Sequence, residues 1–376
     1  MQVKKKTTKK ENVNQQKENV NQQISFAGEN VYVGIDVHKD EWVFTVVYAG
    51  VVAHKDRIGP NPVELKKILM REFPEATYYS VYEAGFSGFW AHRELIKLGI
   101  NNIVVNPADI PTRSKERRRK TDRVDATKLA RELSVGHLQG IYVPSKEAES
   151  FRDIVRLRRQ LVTDQTRIKN RIKAKLMTKG LKVDDDISQK HWSKKYIEAL
   201  RNLEISYPKT KATINGLLDY LEAIKSNLAS RTREIREFVQ ENEQIKETVE
   251  LLQSVPGVGF ILATALYSEI IDINRFNNFD QFASYVGLAP AVRSSGEKEY
   301  TLGLSKQRNK YIRNLLIEAA WVAIRKDHAF QISYGKLMAR KMPQQKVIIK
   351  MAKKLLRRIY SVWKNKKPYI YSVVEK

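Results

Sequence analysis

The chain has 376 residues, with 68 Lys plus Arg against 42 Asp plus Glu, a formal net charge of +26 and no cysteine. That length supports two or three domains with cores of their own. The charge excess is larger than solubility requires and marks a polyanion binder, while the lack of cysteine excludes disulfides and zinc–thiolate sites and fits a reducing cytosol.

Residues 1–24 are low in complexity, carry ENVNQQ twice and hold almost nothing apolar. Such a segment does not offset its ordering entropy and is expected to be a disordered tail. It lacks the apolar stretch of a signal peptide, and no apolar run approaches the roughly 18 residues that span a bilayer. The expectation is a soluble, cytoplasmic protein without a membrane partner.

From about 25 to 145 the pattern alternates between strands and helices. VYVGIDV, WVFTVVYA and VVAHKDRI are three β-rich runs separated by tight polar turns, as in a meander. NPVELKKILMREF at 61–73 reads as an amphipathic helix with Asn61 as cap and Pro62 at the first position. TYYSVYE is the next strand, SGFWAHRELIKLG the next helix and NNIVVNP the fifth strand. A last helix is expected from Thr121 to Ser134. This order of elements is that of the ribonuclease H fold.

Residues 146–250 predict a helical arm. The first long helix carries Phe151, Ile154, Leu157, Leu161, Ile168, Ile172 and Leu176 as an apolar stripe on a basic body. A second long helix or broken pair covers TINGLLDYLEAIK onward, and the two suggest an antiparallel hairpin or coiled coil. The stretch 180–211 between them, with Gly180, Asp184–Asp186 and Pro208, reads as a tip of short turns. The arm reads as a spacer and as a dimerisation element that also tracks nucleic acid through Arg156, Arg158, Arg159, Arg167, Lys169, Arg171 and Lys173, with both roles expected to operate together.

Residues 251–376 predict a mostly α-helical third region. LLQSVPGVGFILATALYSEI has the layout of a helix-hairpin-helix, whose turn amides meet phosphate, and equally that of an ordinary glycine turn. A Ser- and Gly-rich loop follows, then an apolar helix with a basic entry. After Asp327 the next acidic residue is Glu375, while basic residues recur from Lys336 to Arg358, which suits a terminal phosphate-binding helix.

Four carboxylates carry the chemistry. Asp36 and Glu83 fall at the ends of strands one and four, and Asp122 and Asp125 lie three apart at the start of the last helix of the domain, on one face. Each alone has a structural explanation as a strand end, ion-pair partner or helix cap. Together they are hard oxygen ligands suited to Mg²⁺ or Mn²⁺, and such a metal in a basic protein points to phosphodiester chemistry on nucleic acid.

VGIDVHKDEW, YEAG, KTDRVDA and GLAPAVRSSGEKEYTLGLSKQRNKYIRNLL together resemble the DEDD transposases of insertion sequences, relatives of the Piv-type DNA invertases. The resemblance covers about residues 30–330. It implies a RuvC-like catalytic domain at 25–145, a coiled coil at 146–250 and a transposase domain at 251–376. It also implies that Asp36, Glu83, Asp122 and Asp125 are the metal ligands. The family's Ser-Gly motif falls on VGLAPAVRSSG, so Ser295 is the implied nucleophile, with Ser294 as the alternative; a Gly-containing turn is what the residues alone would suggest. Implied partners are donor and target double-stranded DNA, a structured bridge RNA, and further copies in a homodimer or homotetramer. Arg113, Lys115, Arg117, Arg118, Arg119, Lys120, Arg123, Arg167, Lys169, Arg171, Lys306, Arg308 and Arg313 are candidate nucleic-acid contacts. Tyr300 and Tyr311 read as stacking or packing residues, and His38 as a neighbour of Asp36.

Two other readings compete. A metal-dependent nuclease or junction resolvase would use water and form no serine adduct. A non-catalytic nucleic-acid scaffold would not need all four acidic positions. An actin-like or sugar-kinase ATPase lacks its second phosphate motif here and leaves the charge unexplained.

Overall fold

The computed structural model describes residues 25–111, 122–183, 192–295, 298–304 and 309–371; at Asp122, Arg123 and 290–304 it describes the backbone. The expected tail at 1–24 and the basic run from Arg113 to Lys120 lie outside these residues. The chain divides into two compact units, Met1–Val143 and Pro144–Lys376.

In the amino-terminal unit the meander forms as expected. β1 (Asn30–Val37) pairs antiparallel with β2 (Trp42–Tyr48), and β2 with β3 (Val51–Ile58). Ala49 and Gly50 both take positive φ, the two-residue turn that matches strand twist. α1 (Pro62–Glu72) starts where Asn61 accepts from the Val63 amide and Pro62 loses no helical donor. β4 (Thr77–Glu83), α2 (Trp90–Lys97) and β5 (Asn101–Val105) follow, giving one five-stranded sheet in the order β3-β2-β1-β4-β5 with β1, β4 and β5 parallel.

The sheet has helices on both faces. Val31, Val33, Ile35, Phe44, Tyr78 and Tyr82 share a core with Leu65 and Leu69 of α1 and Leu95 of α2. On the opposite face Val81 and Val105 meet Leu129 of α3 (Asp122–Ser134). Two-sided burial is what nearly continuous apolar strands such as WVFTVVY require.

The second unit is helical. α4 (Lys146–Thr178) and α6 (Pro208–Glu241) run antiparallel, for Phe151 and Val155 cluster with Ile235 and Val239, while Ile168, Ile172 and Leu176 cluster with Ile214, Leu218 and Leu221. Between these two clusters the hairpin is not buried: every residue from 156 to 167 and from 225 to 234 is exposed or half-buried. The stripe predicted through Leu157 and Leu161 is therefore interrupted, and Leu157 faces solvent. The stretch read as short turns contains α5 (Lys194–Asn202), whose Tyr196, Ile197 and Leu200 close the distal cluster over Trp192.

α6 breaks at Asn242 into α7 (Glu243–Gln253), followed by the turn and α8 (Phe260–Ile270). Gly257 has φ of +86°, and a β-carbon there would lie 3.0 Å from the Ala323 nitrogen and still closer to the Ala319 carbonyl oxygen. Val255, Pro256 and Val258 are buried, so this turn serves packing first. α9 (Phe279–Val286) leads to a two-stranded hairpin, β6 (Pro290–Ser295) with β7 (Lys298–Leu304), where a loop was expected. α10 (Lys310–Lys326), α11 (His328–Ala339) and α12 (Gln344–Asn365) complete the unit. Leu316, Ala320 and Ala323 of α10, Met351 and Leu355 of α12 and Leu266 of α8 share its core with the proximal cluster of the arm. No helix among the described residues is long and apolar enough to cross a membrane.

Candidate functional site

β1 and β4 pair in parallel with Gly34 beside Val81 and Ile35 beside Tyr82. Asp36 and Glu83 are the next residue of each strand. Equal register on parallel neighbours sends both side chains to one face, with α-carbons about 4.8 Å apart. The same face carries Tyr32 and Tyr79, whose rings stack at 5.6 Å. Asp36 is half-buried, Glu83 is exposed, and His38 Nε2 lies 3.2 Å from Asp36 Oδ2. His38 is thus a direct partner of the carboxylate, closer than its reading as a neighbour.

Gly34, two residues before Asp36, sets how α3 reaches this face. A β-carbon at Gly34 would lie 2.9 Å from Leu129 Cβ and still closer to the Ala126 carbonyl oxygen and the Ala130 nitrogen. Only glycine on the strand and alanines on the helix permit such an approach. Thr45 on β2, beside Gly34 in the ladder, adds a hydroxyl contact with Thr127 at 3.1 Å. Asp125 immediately precedes Ala126, and Asp122 lies one turn nearer the amino terminus of α3. The acidic opening of α3 therefore belongs to the face that carries Asp36 and Glu83. The signal for this docking was in the sequence, since an isolated glycine inside a strand marks close backbone approach.

The donor set of Asp36, Glu83 and Asp125 is all carboxylate oxygen, which fits Mg²⁺, an ion bound through one or two carboxylates with waters retained. Among the described residues no three metal-ligating side chains converge, and the Asp122 side chain is outside them.

Ser295 ends β6 opposite Lys298, and Ser294 sits opposite Glu299. The serines thus stand at the closed end of a hairpin, next to Gly296 and Glu297. Lys306 and Arg308 lie outside the described residues. Of the remaining candidate phosphate contacts, Arg171 is exposed, Arg167 pairs with Asp164 at 3.0 Å and Arg313 is half-buried. Lys169 lies 5.9 Å from the centre of the Trp192 ring. Its ammonium pKa is lowered by burial and by Lys225 and Lys173, which marks a crowded cationic patch at the distal end of the arm.

The sheet order, the strand-tip carboxylates and a helix docked through Gly34 place the amino-terminal unit in the RNase H-like class. Residues 33–179 match the DEDD transposase model of the IS110 type, and residues 249–335 match that of the transposase IS116/IS110/IS902 family. The y4rJ protein of Sinorhizobium fredii, which bears a transposase name, is 30% identical over 370 residues, 89% of this chain and 91% of its own length. The transposase for insertion sequence element IS1533 of Leptospira borgpetersenii is 28% identical over 90% of this chain and 97% of its own length. The transposase for insertion sequence element IS1111A of Coxiella burnetii is 27% identical over 64% of each. The chain belongs to the IS110/IS116 family of DEDD transposases, enzymes of DNA strand transfer.

Proposed function

We propose that this transposase holds Mg²⁺ or Mn²⁺ with Asp36, Glu83, Asp122 and Asp125 and attacks DNA with Ser295. The observation that carries the reading is the side-by-side placement of Asp36 and Glu83 on the face that receives the acidic opening of α3. A bound divalent ion supplies Lewis-acid polarisation of the phosphate and neutralises charge on the attacking and leaving oxygens. The carboxylates fix where that charge sits, and His38 orients the Asp36 carboxylate through its ring nitrogen.

In the chemical step the Ser295 oxygen forms a bond to phosphorus as one P–O ester bond to deoxyribose breaks. The serine proton leaves, and the departing deoxyribose oxygen gains one. The phosphoserine ester keeps the energy of the broken phosphodiester, so attack by a hydroxyl of another strand reverses the step without an outside energy source. A structured RNA pairing with donor and target DNA supplies sequence choice, and two or four copies supply the serines for the strands exchanged. The protein works in the cytoplasm, where its DNA resides.

Trapping on a denaturing gel tests this. Wild type and Ser294→Ala are expected to yield a covalent protein–DNA species with element-end DNA and Mg²⁺; Ser295→Ala, Asp36→Asn and Asp125→Asn are expected to yield none. Mg²⁺-dependent hydrolysis unaffected by Ser295→Ala would instead establish a water-using nuclease. Recovery of a discrete RNA with the purified protein checks the guide.

A further inference from the structure

The first turn of α10 holds a group that this chemistry does not use. Tyr311 is 7% exposed, and its hydroxyl is buried with no hydrogen-bond partner among the described residues. A buried O–H donor without an acceptor is costly to keep. Its surroundings are cationic. The Arg159 guanidinium lies 4.5 Å from the centre of the phenol ring, and Arg158, its neighbour on α4, is near enough for its charge to act on the phenol.

Arg158 donates through Nε to Thr232 Oγ1 at 2.9 Å. Glu269, whose charge also reaches the phenol, is held in both oxygens by Arg156 at 2.7 and 2.8 Å and does not bond the phenol. Among the described residues, two guanidiniums and one unmatched hydroxyl hydrogen thus meet with no anion bonded to the phenol. All three are donors, so what complements them is an acceptor with negative charge. A tetrahedral oxyanion accepts from a guanidinium fork and a hydroxyl together.

We propose that Tyr311, Arg158 and Arg159 form a seat for a phosphodiester of the DNA strand, built from residues other than the carboxylates. Arg159, half-buried and long, swings off the ring to let the phosphate reach the phenol. α10 is the helix that follows the serine hairpin, so a phosphate seated at its first turn fixes the strand at the foot of that hairpin. The DNA identity of the ligand rests on the transposase reading; the phosphate chemistry does not.

The test uses the full chain, and Tyr311→Phe, which removes only the hydroxyl. Fluorescence anisotropy with a labelled element-end duplex across a salt series gives affinity and salt slope. Thermal melts in sodium phosphate against sodium chloride of matched ionic strength give phosphate binding without DNA. Tyr311→Phe is expected to melt in chloride no lower than wild type, to bind the duplex about tenfold more weakly and to lose the phosphate-induced rise in melting temperature. Arg159→Gln is expected to reduce the salt slope by about one. Equal duplex affinity and equal phosphate response in wild type and Tyr311→Phe overturn the seat and leave the transposase reading intact. A wild type that ignores duplex, yet is stabilised by phosphate only when the hydroxyl is present, overturns the DNA reading and keeps the phosphate seat.

Discussion

Gly34 is the residue on which the amino-terminal site depends most. A methyl there meets two backbone atoms of α3, and backbone does not move aside as a side-chain tip does. Gly34→Ala is expected to destabilise the unit by about 3 kcal/mol, at the upper end of overpacking costs, and to abolish strand transfer even where the protein still folds. A urea titration and a transposition assay read the two effects. Tyr311 makes a different prediction at the same scale. Burial raises its phenol pKa, against the opposing pull of Arg158 and Arg159. The folded state thus favours the neutral phenol. The stability this contributes is fully present below the unfolded value near 10 and is lost as pH rises through the folded value. The urea midpoint of wild type is expected to fall more steeply above about pH 10 than that of Tyr311→Phe, and parallel curves would sink the assignment.

Among the elements, the arm shows most clearly what packing adds to pattern. Arg156 at its base holds Glu269 bidentately, with Glu269 buried and Arg156 half-exposed. Arg156→Ala leaves a buried carboxylate unpaired, at a cost of about 2 kcal/mol after discounting for the exposed side of the pair. Ile172→Ala is expected to cost about 3 kcal/mol and to act on the distal cluster, read by amide exchange in α5 and the distal part of α6. The long helices were legible because a 3.6-residue period over 33 residues is hard to mistake. Their broken contact was not, because Leu157 and Leu161 keep the period while neither is buried. α5 was missed because nine residues with three apolar positions, flanked by glycine, aspartate and proline, look like a turn. The β6–β7 hairpin was missed because PAVRSS does not alternate and the alternating Tyr300, Leu302 and Leu304 form only a short run beside Ser- and Gly-rich sequence. In the amino-terminal unit the cap at Asn61 and the strands were legible locally. The adjacency of Asp36 and Glu83 was legible only through the ribonuclease H order of the elements, because which strands adjoin is decided by a parallel crossover, not by either strand's residues.

For the whole molecule, charge is the dominant fact. A net charge of +26 spread over both units predicts a binder whose affinity for duplex falls at least about a thousandfold between 50 and 200 mM salt. A fall of less than tenfold would place recognition outside the electrostatics. That charge must also be released once strands have been exchanged, and the arm bears on how. Its 33-residue helix is about 50 Å long, and two buried clusters fasten it, with an interval between them that holds no buried residue and is bridged by Arg158 and Thr232. Each cluster has its own contacts, so the distal one is expected to open at lower cost than the proximal one, read by amide exchange. Two latches in series let a long cationic lever loosen stepwise, and a protein that loosens stepwise need not melt to let go.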